Sequence, residues 1–224
     1  MTHVLDRPVW TSLTTRHAGF AIGGERARRF APDIGPLAGL RDDAPESIAE
    51  LAALVPADGS LIVLQADPIA IPGATVVAGV QMVAESLADV PAGPRIVRLT
   101  TDDGPAMLAL ATLTRPGPFA ARTHALGEFI GIKQDGELIA MAGERMKHAG
   151  FTEVSGVCTH PTARGRGLAR ILSAHVARAI LARGETPYLH AYATNTPAIR
   201  LYETLGFRLR RDMIVATVTR HMPH

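Results

Sequence analysis

The sequence has a single cysteine, few aromatic residues and no long apolar run. One cysteine, Cys158, excludes an internal disulfide and fits a reducing compartment. No apolar stretch approaches the roughly 18 to 20 residues that cross a bilayer. The first residues lack the basic start and apolar core of a secretory signal. We therefore expect a cytoplasmic protein that does not associate with a membrane.

The chain also lacks a strong excess of charge of either sign. The net charge is +2, and the arginines are dispersed, which argues against a nucleic-acid partner because phosphate-driven binding needs a continuous basic surface. Residues 1–92 carry 6 basic and 11 acidic side chains, whereas residues 93–224 carry 17 basic and 10 acidic ones. This asymmetry suggests that the second segment meets an anion. The nine histidines show no metal-ligand spacing, so we predict no metal.

A cluster of Pro91, Gly93 and Pro94 is typical of a linker and predicts a domain boundary near residue 92. The predicted domains are 1–92, an N-terminal α/β lobe without a chemical motif, and 93–224. The N-terminal lobe has apolar β-rich and helical runs that would suit a degenerate copy of the second domain, although no clear internal repeat is visible.

The second domain shows a clear order of strands and helices, β-α-β-β-β-α-β-α-β. Asp135-Gly136 predicts a hairpin turn, and an apolar stripe from Leu168 to Ile180 predicts a helix closed by Gly184. This order predicts an α/β fold with a mixed sheet and helices on its faces.

The segment "HPTARGRGLAR", His160 to Arg170, predicts an anion-binding loop before that helix. Gly165 and Gly167 let backbone N–H groups approach a ligand, and the first helical turn has unpaired N–H donors. The segment lacks the Lys-Ser/Thr ending of a nucleotide P-loop, and Arg170 stands where the dinucleotide fingerprint has its third glycine.

A third loop design fits: "RGRGLA" reads Arg-x-x-Gly-x-Ala, and "NTPAIRLYETLGF" follows after one helix and one strand. This ordered pair resembles the two signatures of the GCN5-related N-acetyltransferase (GNAT) superfamily, and the FR47-like group in particular. The resemblance covers about residues 95–220. It implies a GNAT fold, in which the mixed sheet is partly splayed, and acetyl-CoA as cosubstrate.

By this resemblance, backbone groups on the strand before the loop would pair with the pantetheine arm of the cofactor, and the loop would wrap its pyrophosphate. Asn195 would bind the cofactor or an ordered water. The implied cofactor-binding residues are Val157, Cys158, Thr159, Arg164, Gly165, Arg166, Gly167, Leu168, Ala169, Arg170, Asn195 and Tyr202.

Tyr202 is the candidate acid. It lies seven residues after Asn195, so the two side chains share one helix face. The resemblance implies that Tyr202 protonates the departing thiolate. For the general base, two alternatives stay open: Glu153, at the start of the strand before the loop, and His190 on the neighbouring strand. We interpret Cys158 as a core residue without a nucleophilic role.

These features predict an acyl-CoA-dependent N-acyltransferase that transfers acetyl to the primary amine of a small molecule or amino-acid derivative by direct attack. The alternatives are a catalytically silent CoA-binding or sensing protein and an acetyltransferase of protein N-termini or lysines. The acidic balance of residues 1–92 suggests a cationic acceptor. We expect a monomer or a homodimer.

Overall fold

The computed structural model describes residues 3–90 and 93–220. The predicted boundary near residue 92 falls on residues 91–92, outside the described residues. The helices are α1 Pro8–Thr14, α2 Pro45–Leu54, α3 Gly104–Thr114, α4 Leu168–Ala182 and α5 Thr196–Thr204. The strands are β1 Ala21–Gly23, β2 Ala27–Phe30, β3 Leu37–Leu40, β4 Ser60–Gln65, β5 Thr75–Val83, β6 Val97–Leu99, β7 Phe129–Gln134, β8 Glu137–His148, β9 Phe151–Thr159, β10 Thr186–Tyr192 and β11 Arg208–Thr219.

The described strands form one mixed sheet in the order β1-β2-β3-β4-β11-β5-β10-β9-β8-β7-β6. The predicted α/β fold with a mixed sheet and flanking helices is therefore confirmed. Strands from before and after residue 92 alternate at its centre, because β5 lies between β10 and β11, and β11 pairs with β4. The division into two domains and the origin of the N-terminal lobe as a degenerate copy stay predictions.

Local signals in the second segment gave several correct elements. Asp135 and Gly136 both have positive φ (52° and 85°) in the two-residue turn between β7 and β8, as the predicted hairpin requires. Gly184 adopts φ 75° just after α4, where a helix commonly ends in a left-handed residue. Asn195 caps α5 by accepting a hydrogen bond from the Ala198 N–H.

The N-terminal segment contains elements that sequence patterns did not indicate. Helix α1 begins at Pro8, which suits the first helical position, and packs Val9 and Leu13 against the sheet. The run Ala27–Phe30 forms strand β2, between β1 and β3, and the Arg28 guanidinium lies 5.8 Å from the centre of the Trp10 ring. These residues build the first segment of the fold.

Helices cover both faces of the sheet. One apolar cluster joins α4 to β8, β9, β10 and β5, and its centre includes Leu172, Ala177 and Leu189. The opposite face packs against α1 and α3, around Leu13, Tyr188 and Met107. Because side chains alternate along each strand, neighbouring residues such as Tyr188 and Leu189 lie in different clusters.

The sheet splays between β9 and β10. These parallel strands pair from Thr186↔Phe151 to Tyr188↔Glu153, and no pairing continues towards the end of β9 among the described residues. The splay implied by the family resemblance is therefore present. It leaves one backbone edge of β9 without a strand partner after Glu153.

A buried histidine, His148, lies next to Tyr188, which packs on the α1 face of the sheet. His148 is fully buried, and its Nε2 lies 2.8 Å from the Tyr188 hydroxyl. Burial lowers the pKa of His148 from 6.5 to about 4, because the charged imidazole is poorly solvated there. His148 therefore stays neutral near neutral pH.

We expect His148 to make the protein less stable as the pH falls from 6.5 to 4. In this window the unfolded chain binds a proton at His148 and the folded chain does not, so the free energy of unfolding should drop by about 3 kcal/mol. Urea unfolding over this pH range measures the effect. His148→Gln should flatten the slope, and His175→Gln, at an exposed position, should not. Equal slopes in His148→Gln and the unaltered protein would contradict the assignment.

Candidate active site

A cleft of about 210 Å³ opens where β9 and β10 separate. Its walls come from both faces of the sheet. On the α4 face it is lined by Val157, Asn195, Ala198 and Tyr202, and on the α1 face by Leu37, Leu64, Val215, Arg145 and His190. Two reactants that approach from opposite faces can therefore meet in the splay.

A β-bulge at Gly156 shapes β9 along this cleft. Gly156 adopts φ 63°, and β9 has one more residue than β8 between the pairs Gly143↔Ser155 and Met141↔Cys158. As a result Val154 and Val157 pack in the same α4-side cluster, although a regular strand would place them on opposite faces. The bulge therefore breaks the regular alternation of side chains that would otherwise run from Glu153 to Thr159.

The predicted anion-binding loop has free backbone donors. Gly165 and Gly167 adopt φ 77° and 73°, and a Cβ at either position would meet no atom within 4 Å. Six consecutive N–H groups, from residue 165 to residue 170, donate to no acceptor within the described part of the chain. They end at the first turn of α4, where the helix dipole also favours an anion.

The side chains of this loop point in different directions. Leu168 is buried in the α4-side core and Ala169 is half-buried, so they hold the loop against the sheet. Arg164 is exposed, Arg166 donates to the Gln134 side chain at 2.9 Å, and Arg170 donates to the Asp89 carbonyl at 3.3 Å. The unpaired backbone N–H groups, more than the arginine side chains, are therefore the donors that this loop could offer to an anion.

Helix α5 brings Asn195 and Tyr202 into the cleft together, as their spacing predicted. The Tyr202 ring packs edge-on against Phe207, with 5.9 Å between ring centres. Burial, and then the negative charge of Glu153, raise the pKa of Tyr202 to about 12. Its hydroxyl therefore keeps its proton at neutral pH and can act as a hydrogen-bond donor.

Glu153 is fully buried beside the cleft. Its carboxylate accepts two hydrogen bonds of 2.8 Å from Arg145, one of 3.3 Å from the Met146 N–H, and one of 2.8 Å from His190 Nδ1. Burial alone would raise the pKa of this carboxyl, but the charge of Arg145 and these hydrogen bonds lower it well below its ordinary value. Glu153 is thus a carboxylate with every acceptor direction in use.

The tautomer of His190 follows from its neighbours. Arg210 donates to Gln81 Oε1 at 2.7 Å, which turns the Gln81 amide nitrogen towards His190 Nε2 at 2.9 Å. Because an amide N–H can only donate, Nε2 has to be the unprotonated nitrogen, and Nδ1–H donates to Glu153. His190 is therefore neutral, with its free electron pair facing Gln81.

Arg145, Gln81 and Arg210 were missed by sequence reasoning. Arg145 stands between Glu144 and Lys147 at the polar end of β8, so the local sequence does not indicate that it forms a buried ion pair. Gln81 and Arg210 show no local signal either, since Gln81 reaches His190, and Arg210 reaches Gln81, only through the pairing of β5 with β10 and β11.

Cys158 packs in the core on the α3 face with Met107 and Phe129. Burial raises the pKa of its thiol to about 11, so the thiol is protonated and is a poor nucleophile. This agrees with its interpretation as a core residue.

In residues 3–90 and 93–220, no group of His, Cys, Asp and Glu side chains is arranged to hold a metal ion. No helix within these ranges is both long enough and apolar enough to cross a membrane.

Known proteins resemble this chain over different lengths. A family model described as FR47-like protein matches residues 129–215, and a search of curated proteins found no match. A GNAT-family protein from Novosphingobium aromaticivorans, a proposed acetyltransferase, is 44% identical to this chain; the match covers 99% of this chain and 100% of that one, with a TM-score of 0.89.

More distant structures share the fold alone. A GCN5-related N-acetyltransferase from Kribbella flavida is 19% identical, with 94% of this chain and 95% of that one covered and a TM-score of 0.64. A GNAT-family acetyltransferase from Colwellia psychrerythraea is 12% identical, with 98% of each chain covered and a TM-score of 0.56. The full-length match at 44% identity, the FR47-like match and the splayed sheet agree: the chain belongs to the GCN5-related N-acetyltransferase family of enzymes.

Proposed function

We propose that the protein transfers an acetyl group from acetyl-CoA to the primary amine of a small molecule, by direct attack in a complex of both substrates. The observation that carries this proposal is the cleft through the splayed sheet, with Tyr202 on the α4 face and His190 on the α1 face. A donor group thus lies on the side of the anion-binding loop, and a neutral imidazole lies on the other side.

The residues present fit the cofactor. The unpartnered edge of β9 at Val157, Cys158 and Thr159 offers backbone groups to the amides of the pantetheine arm. The N–H groups from Gly165 to Arg170 offer donors to the pyrophosphate. Since these are backbone interactions, they depend on loop conformation more than on arginine side chains.

The reaction needs a base that accepts a proton from the amine, and hydrogen-bond donors that stabilise the oxyanion and the departing sulfur. The amine nitrogen attacks the thioester carbon, the C–S bond breaks, and the sulfur leaves as a thiolate. Backbone N–H groups near Val157, on the β9 edge, would stabilise the oxyanion, and the Tyr202 hydroxyl would donate to the departing sulfur. With its raised pKa, Tyr202 would act mainly as a hydrogen-bond donor while the bond breaks.

Between the two candidate bases, we favour His190. A base has to begin unprotonated, and the Gln81 N–H keeps Nε2 of His190 in that state. To accept the amine's proton at Nε2, His190 would exchange the Gln81 hydrogen bond for one to the amine, and Glu153 would stabilise the imidazolium through Nδ1. Glu153 would then be a positioning residue.

The proposal is tested by following the release of free thiol from acetyl-CoA with a panel of primary amines and amino acids, and by identifying the acetylated product by mass spectrometry. Release that depends on both substrates supports it. Tight CoA binding without turnover of any acceptor would instead favour a silent CoA-binding protein.

Gly167→Ala should raise the Kd for CoA by about 5- to 30-fold, because a side chain strains a residue at φ 73° by roughly 1–2 kcal/mol and displaces the loop donors. Isothermal titration with CoA measures this. Gly184→Ala is a matched control at the other end of α4, since Gly184 has φ 75° and equally open surroundings. It should lower the melting temperature without changing the Kd. A similar loss of affinity in both variants would contradict the loop assignment.

Tyr202→Phe should lower kcat by roughly 10² while leaving the Kd for CoA unchanged, because it removes only the donor to the leaving sulfur. Tyr192→Phe, at the exposed rim of the same cleft, should have a much smaller effect. Since the pKa of Tyr202 is about 12, its ionisation should cause no fall in rate up to pH 10. An unchanged kcat in Tyr202→Phe would remove it as the donor.

His190→Gln should lower kcat/KM by about 10² or more at neutral pH, because glutamine can hydrogen-bond but cannot carry the proton. Steady-state assays with acceptor amines measure the fall in kcat/KM, and isothermal titration should show an unchanged Kd for CoA. If the variant keeps its rate, His190 is not the base, and Glu153 or a cleft water takes its place.

A further inference from the structure

The acceptor side of the cleft, the α1 face where the amine would enter, is lined by basic side chains. Arg115, Arg145 and His190 contribute to its lining, whereas no Asp or Glu does so among the described residues. The suggestion of a cationic acceptor, drawn from the acidic composition of residues 1–92, therefore has no support in this cleft. An acceptor seated here meets guanidinium groups at close range.

Of the two arginines that line the cleft, Arg145 is the buried one. Its side chain is 11% exposed, and its Nε and Nη2 are both used by Glu153, which leaves Nη1 without a hydrogen-bond partner in the described part of the chain. A guanidinium fixed on one edge presents its remaining N–H groups in a defined direction, a geometry that suits a carboxylate. Arg145 thus has donors to spare on the cleft wall.

The position of Arg145 relative to His190 limits the distance between the two groups of an acceptor. Arg145 Nη2 and His190 Nδ1 both lie 2.8 Å from the same oxygen, Oε1 of Glu153. The cation and the imidazole are therefore neighbours. A molecule that places its amine near His190 and its anion on Arg145 can reach both neighbouring groups when it carries amine and anion on a short backbone, as an α-amino acid does.

The rest of this side is apolar and stiff. The apolar lining residues are Leu37, Ile62, Leu64 and Val215, and the segment 115–118, with two prolines, also lines the cleft. Arg115 is exposed and adds a second positive charge there. Such a wall favours an acceptor with an apolar side chain.

We infer that the acceptor is an α-amino acid with an apolar side chain, the carboxylate of which binds Arg145 and the amine of which faces His190. This inference rests on the proposed function and narrows it to one substrate class. Arg145 becomes a specificity-determining residue in addition to its structural role as the partner of Glu153.

A matched set of acceptors tests this inference on the unaltered protein: L-leucine, L-leucinamide and 3-methylbutylamine, which share the side chain and differ in the carboxylate. With saturating acetyl-CoA, kcat/KM for L-leucine should exceed that for 3-methylbutylamine by about 10-fold or more, as expected for a charge-assisted hydrogen bond. L-leucinamide should resemble 3-methylbutylamine. Equal or better turnover of 3-methylbutylamine would overturn the inference and leave the acetyltransferase proposal intact.

A variant pair assigns the effect to Arg145. Arg145→Lys keeps a cation opposite Glu153 but removes the spare N–H groups on Nη1, so the ratio of kcat/KM for L-leucine to kcat/KM for 3-methylbutylamine should fall towards 1, whatever the variant does to both rates together. Arg98→Lys is the control, because Arg98 forms an exposed ion pair with Glu128 away from the cleft. Equal changes for both acceptors in Arg145→Lys would show a merely structural role and overturn the assignment.

Binding measured without turnover separates this inference from the proposed function. Saturation-transfer NMR on the CoA-loaded protein should show binding of L-leucine in preference to 3-methylbutylamine. Selective binding without thiol release would support the site and contradict the acetyltransferase. The absence of any preference in binding would overturn the inference whatever the activity.

Discussion

The arrangement of this molecule depends on the point at which two parallel strands stop pairing. Strands β9 and β10 share hydrogen bonds up to Tyr188↔Glu153 and then separate. An unpaired strand edge inside a protein is costly unless other groups satisfy it, so a splay of this kind points to a ligand that completes the sheet. The bulge at Gly156 belongs to the same feature, because it turns the β9 side chains and exposes backbone along the gap.

The buried ion pair of Glu153 and Arg145 stands at the last paired position before the strands separate. Such a pair contributes little net stability, because desolvation offsets most of the attraction, but losing one partner costs roughly 3–5 kcal/mol. Its value is geometric. The carboxylate fixes Arg145 and His190 against one another, and the chain from His190 through Gln81 and Arg210 extends this order to Asp6 in the N-terminal segment.

The sequence predicted the features that depend on neighbours in the chain. The glycines of the loop, the turn at Asp135-Gly136 and the shared face of Asn195 and Tyr202 follow from spacing of a few residues, and the structure has all three. The insertion of β11 between β4 and β5 could not be predicted in this way, because it depends on pairing between distant segments. The bulge was missed for a related reason: Gly156 interrupts an alternation that looks regular from its residues alone.

The placement of β5 brings a residue of the N-terminal segment into the candidate active site. Gln81 comes from this strand and lies against His190 only because β5 pairs with β10. The Gln81 side chain also donates to the Leu5 carbonyl at 2.9 Å, which ties it to the chain just before α1. In the same segment, Leu37 and Leu64 supply the apolar wall of the acceptor side. In the proposed reaction, the two signature motifs would therefore hold the cofactor, while residues before the predicted boundary would shape the side that the amine enters.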